Sequence, residues 1–172
     1  MGAILGIKIA DFGRITAWNN NPVTDVPSEI IYLEDMENKK IWTIGINPTP
    51  DNNDYYITYG FGYSKFMHTS NGIFQNLKVF IPREESCKIQ ILHLENKLAK
   101  KKELKLIYYI KPVLDEDEIK SNNYLELKYN DSNNLITVQN QTKELKNRDI
   151  MYVTSSEKII SYTGGKDSFI GN

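Results

Sequence analysis

Short runs in which apolar, β-branched and aromatic residues alternate with polar ones recur through most of this chain, and no stretch holds a helical period for three turns. That pattern restricts the fold to strands. Leu77, Val79 and Ile81 alternate in FQNLKVFIP, and Ile89 and Ile91 in KIQILHL. Leu104, Leu106 and Tyr108 do so in ELKLIYY, and Tyr124, Leu125 and Leu127 mark YLELKY. LITVQN, IMYVTS and KIISYT complete the series, and the opening MGAILGIKIA reads as a first strand.

Turn chemistry separates these runs. NNNP (19–22), PTPDNND (48–54), SNG (70–72) and NDSNN (130–134) combine residues that tolerate positive φ or bond back to the local backbone with prolines that remove a ladder donor. The basic run KLAKKKELK, Lys97 to Lys105, lies between two strand patterns and reads as a solvated hairpin tip. The acidic DEDE, Asp115 to Glu118, has neither the spacing of a calcium loop nor that of paired catalytic carboxylates. Strands spaced by roughly 8–12 residues, without an internal repeat, predict one all-β domain, an antiparallel sandwich over residues 1–172.

At 172 residues, 40% hydrophobic and with a formal net charge of −1, the chain can bury a core unaided and carries no charge excess that calls for nucleic acid or an anionic membrane. Cys87 is the single cysteine, which excludes an internal disulfide and a multi-thiolate metal site and fits a reducing, cytoplasmic compartment; it reads as a buried small hydrophobe. The first segment is too short to span a bilayer and lacks a basic leader, and Gly6 stands where a myristoylation motif needs Ser or Thr.

Candidate chemistry is sparse. The two histidines, His68 and His93, stand apart without cysteines or clustered carboxylates, so both read as structural and no metal is expected. TGGKDS (163–168) lacks phosphate-loop spacing and a following helix. Asp25, Glu29, Glu34 and Asp35 form the one early carboxylate cluster, and with Trp18, Tyr32 and Trp42 they offer what a sugar site uses: aromatic faces for pyranose rings and oxygens for hydroxyls. The competing reading places those aromatics in the core.

The stretch GRITAWNNNPVTDVPSEIIYLED, Gly13 to Asp35, resembles the segment of glycoside hydrolase family 94 proteins that runs Arg, Leu-Thr-Pro-Trp-Ser-Asn-Asp-Pro-Val, Asp, Pro-Gly-Glu and Tyr-Leu-Arg-Asp. The likeness continues through Gly62-Tyr63 with Phe66, Gly72-Ile73, Phe80-Ile81-Pro82 and Leu92 to Asn96, and the closing DSFIGN is similar to the family's Phe-Leu-Gly-Arg. The chain departs from that pattern at Asn21, Ser28, Lys65, Lys111-Pro112 and Asn172. That family holds cellobiose and chitobiose phosphorylases and the phosphorylase-like end of cyclic β-1,2-glucan synthases.

The resemblance implies a supersandwich of the galactose-mutarotase-like type, incomplete here and lacking the (α/α)6 catalytic barrel. It implies a non-catalytic, cofactor-free domain that frames a β-linked gluco-oligosaccharide beside such a barrel. Expected contacts are stacking from Trp18 and Tyr63, hydroxyl bonding from Asn20, Asp25 and Glu29, and bidentate bonding from Arg14. In the rival reading these residues fix one sheet on the other, with Arg14 paired to Asp25 or Glu29, and the domain is a structural or assembly module. A third reading, a mutarotase-like epimerase, would need His68 or His93 as its base. An incomplete sandwich leaves strand edges and an apolar face uncovered, so self-association, most simply a homodimer, is expected.

Overall fold

The computed structural model describes the backbone of residues 2–9 and residues 15–17, 23, 26–114, 124–141 and 150–164 in full. Among these lie eleven strands and no helix, and hence no helix able to cross a membrane. The strands are β1 (Gly2–Ile9), β2 (Glu29–Asp35), β3 (Ile41–Thr43), β4 (Tyr55–Gly60), β5 (Tyr63–Ser70), β6 (Ile73–Phe80), β7 (Cys87–Asn96), β8 (Leu104–Ile110), β9 (Leu125–Asn130), β10 (Leu135–Asn140) and β11 (Ile150–Ser155).

They form an eight-stranded sheet ordered β4-β5-β6-β7-β1-β11-β10-β9 and a three-stranded sheet ordered β3-β2-β8. Every pairing is antiparallel. β1 joins the two halves of the large sheet, with Ile7 in register with Lys88 on one side and Val153 on the other. The turns SNG and NDSNN close hairpins as their chemistry requires: Asn71 and Gly72 take φ values of 51° and 77°, and Asn134 takes 49°.

Among the described residues, the sheets pack face to face around two apolar clusters. Ile31, Leu33, Trp42 and Ile44 of the small sheet and the turn after it meet Ile73, Leu77 and Leu92 of the large one. Leu114, Val138, Met151 and Val153 form the second cluster. Tyr108 packs against both, because β8 runs from one to the other.

Three expectations are corrected here, and the inward face of one expected strand is assigned. KIISYT forms no strand: Ile160 is 85% exposed, and the segment is held by side chains, with Tyr129 donating to the Ile159 carbonyl and the Ile159 amide donating to Asn134 Oδ1. KLAKKKELK is not a hairpin tip, since β7 lies in the large sheet and β8 in the small one, so the run carries the chain from sheet to sheet. Its Lys102 side chain is buried against Asp35. In KIQILHL the face that packs inward carries Gln90 and Leu92 rather than Ile89 and Ile91. Cys87 is half-buried at the start of β7 rather than enclosed.

Candidate functional site

Two of the six sugar-contact candidates, Glu29 and Tyr63, fall among the described residues; Arg14, Trp18, Asn20 and Asp25 lie outside them, as do NNNP and DEDE. Glu29 opens β2 on the face that carries Ile31 and Leu33, so the strand's pleat turns its carboxylate between the sheets. There Lys88 Nζ donates to Oε1, while Tyr108 Oη at 2.7 Å and Gln90 Nε2 at 3.2 Å donate to Oε2. Gln90 Nε2 also reaches Tyr108 Oη at 3.1 Å.

Glu29 and Tyr108 belong to the small sheet, Lys88 and Gln90 to the large one, so the four side chains tie the sheets together. Burial, reinforced by the Glu29 charge, pushes the Tyr108 phenol well above its ordinary range. With three donors already on it, the Glu29 carboxylate has little capacity left for a sugar hydroxyl. The Gln90 signal was present in the sequence as a polar residue between two isoleucines, but alternation alone does not say which phase faces in.

Tyr63 sits elsewhere. It pairs across strands with Phe80, which pairs with Ile89, and all three are on the face of the large sheet that points away from the small one. Lys78 Nζ lies 4.9 Å from the Tyr63 ring centroid and 5.4 Å from that of Phe80. Tyr63 is 36% exposed, so this cation-capped aromatic pair reaches solvent, and the sheet itself stands between it and Glu29. Trp42 fills the core and Tyr32 lies half-buried on the outer face of the small sheet.

The neighbours of the undescribed candidates are placed by backbone bonds. The Ala17 amide donates to the Lys111 carbonyl, the Val113 amide to the Ile15 carbonyl, and the Lys111 amide to the Ser28 carbonyl. Thr16 and Pro112 form an antiparallel bridge. Residues 15–17 therefore run beside the exit of β8, whose Ile110 is in register with Glu29.

His68, 3% exposed, stacks on Tyr55 at 3.7 Å with its ring nitrogens 3.0 Å from the Asp54 carbonyl and from Asp51 Oδ2. Ser70 Oγ donates to the same Oδ2 at 2.7 Å. Burial opposes the Asp51 charge, but the bonds from Ser70, the Asn53 amide and His68 outweigh it and hold the carboxyl below its usual range. The carboxylate stands between hydroxyl and imidazole. Nucleophile activation needs the hydroxyl on the imidazole, whereas here the carboxylate separates the two and the cluster anchors the segment before β4. No group of three metal-ligating side chains occurs among the described residues.

Residues 3–172 match the family described as the supersandwich domain of glycosyl hydrolase 94. An N,N'-diacetylchitobiose phosphorylase of Vibrio furnissii is 24% identical over 168 residues, covering 94% of this chain and 21% of that protein. One from Vibrio proteolyticus is 30% identical over 89 residues, 50% of this chain and 11% of the relative. A solabiose phosphorylase of Paenibacillus borealis is 26% identical over 145 residues, 82% and 19% respectively. The chain thus spans about a fifth of the length of the relatives it matches most fully. Two antiparallel sheets joined face to face and a family match running from the first strand to the last residue agree: this chain belongs to the supersandwich domain family of glycosyl hydrolase 94.

Proposed function

We propose that this chain is a non-catalytic, carbohydrate-associated domain that, within a longer phosphorylase-like protein, packs beside a catalytic domain and helps frame the entrance for a β-linked oligosaccharide. The observation that carries the reading is the family match, whose relatives are by name phosphorylases of N,N'-diacetylchitobiose and solabiose. Tyr63 supports it: although Lys78 covers one side of its ring, the side chain is 36% exposed and offers a ring edge and a hydroxyl to a sugar. Trp18, Asn20, Asp25 and Arg14 remain the proposed further contacts.

Titration with cellobiose-type, sophorose-type and N,N'-diacetylchitobiose oligosaccharides, followed by calorimetry and Trp fluorescence, tests the proposal. Saturable binding that weakens tenfold or more in Trp18→Ala or Tyr63→Ala is expected. An affinity untouched by both substitutions, or no binding to any of the sugars, overturns it.

The structural-module reading is favoured at one residue: Glu29 spends its acceptors on tying the sheets together. The epimerase reading draws no support from His68, whose ring nitrogens are both engaged inside the fold.

A further inference from the structure

The large sheet ends on one side in β9 and on the other in β4, and the two edges differ. β9 carries Glu126 and Lys128, paired to each other at 3.0 Å, and residues 158–164 lie along it, with Tyr129 bonded to the Ile159 carbonyl and Gly164 packed against Leu127. Charges and a covering segment are the usual protection of an edge. β4 has neither. From Tyr55 to Tyr63 the chain contains no charge and no proline. Tyr56 is 60% exposed, Ile57 43% and Tyr59 76%, and Phe61, at the β4–β5 turn, projects wholly into solvent.

The start of the same strand holds a complementary feature. Ile44 to Asn47 and Tyr55 to Ile57 wall an apolar cleft of about 180 Å³, floored by Phe66 and Met67. An apolar cavity of about 150 Å³ is enough to take up a benzene ring. One unprotected strand therefore has an aromatic knob past its end and an aromatic-sized cleft at its beginning.

We propose that β4 pairs antiparallel with β4 of a second copy of this chain, each copy's Phe61 entering the other's cleft beside Ile46 and Tyr55. A two-fold axis through Thr58 sets Tyr59 opposite Ile57 of the second copy, on the same face, and brings Phe61 level with Tyr55, at the mouth of the cleft. Only an isologous pairing serves both knobs and both clefts at once. The two large sheets become one continuous sheet, and a net charge of −1 per copy sets little repulsion against it. The occupant is a second copy because knob and cleft lie at opposite ends of one strand.

Light scattering on the whole chain, diluted from about 100 µM, is expected to show twice the monomer mass. Phe61→Ala should raise the dimer dissociation constant tenfold or more, and Thr58→Lys should leave a monomer, each with unchanged far-UV circular dichroism and with an unchanged urea midpoint at dilutions where the wild type is monomeric too. Lys128→Ser on β9 should leave the dimer as it is. A monomer at 100 µM, a dimer indifferent to both β4 changes, or a dimer weakened equally by Lys128→Ser overturns the proposal. A monomer in which added β-linked glucan shifts the Tyr59 and Phe61 resonances also overturns it and gives the face to sugar.

Discussion

Tyr108 holds its hydroxyl where the two core clusters meet, and both neighbours of that hydroxyl, Glu29 and Gln90, depend on it. Tyr108→Phe removes one of three donors to Glu29 and is expected to cost about 1–1.5 kcal/mol, read from the urea midpoint. Because the folded phenol is held above its unfolded value of about 10, its contribution is complete below that pH and is lost as pH rises further. Wild type should therefore lose stability above about pH 10 more steeply than Tyr108→Phe; equal slopes would count against the assignment. Gln75 is the opposite case. It is fully buried on β6, and neither polar atom of its side chain has a hydrogen-bond partner among the described residues. Gln75→Met should raise stability by about 1–2 kcal/mol, since it removes unpaired polar atoms at similar volume. Pattern alone misplaces such residues: Gln75 and Gln90 look like solvent positions, and only the partner sheet shows that one of them bonds across the sandwich.

The segment between β7 and β8 shows what an element gains by changing sheets. A hairpin tip would leave its lysines in water, but a crossover draws Lys102 against Asp35, the last residue of β2. The bond from Lys102 holds the Asp35 carboxyl below its usual range, and the same bond raises Lys102. Asp35 therefore contributes stability above the unfolded aspartate value, roughly pH 4, and loses it as pH falls through the lower folded value. Lys102→Met leaves a buried carboxylate unpaired, so thermal midpoints should separate from wild type at pH 7 and converge as pH falls through the lowered Asp35 value. A separation independent of pH would contradict this. Strand existence was legible in the sequence wherever alternation and turn residues coincided, as at Asn71-Gly72 and NDSNN. Sheet membership was not, because KLAKKKELK joins strands in either arrangement. KIISYT alternates as a strand does, yet Tyr129 and Asn134 side chains take its backbone groups in place of a ladder.

At the scale of the molecule, alternation and family likeness together made the sandwich legible, while the division of its interior into two clusters depends on contacts far apart in sequence. Trp42 illustrates the limit: its type suits a sugar platform equally, and only its 4% exposure puts it in the core. Tyr63 and Glu29 likewise share one resemblance but lie on opposite sides of a sheet, a separation fixed by the pleat and invisible until register is known. Among the described residues, the clusters share no buried member and meet at partly buried Tyr108. Leu33 and Met151 are each completely enclosed, one per cluster, so Leu33→Ala and Met151→Ala should each cost about 2–5 kcal/mol. If the clusters are energetically separate, the double variant loses the sum to within about 0.5 kcal/mol. Since β1 and β8 run past both, unfolding should remain a single transition, with Trp42 fluorescence and far-UV dichroism coincident in urea. A coupling energy above about 1 kcal/mol would mean that the interior packs as one body, and separated transitions would mean that the β9–β11 half unfolds independently of the rest.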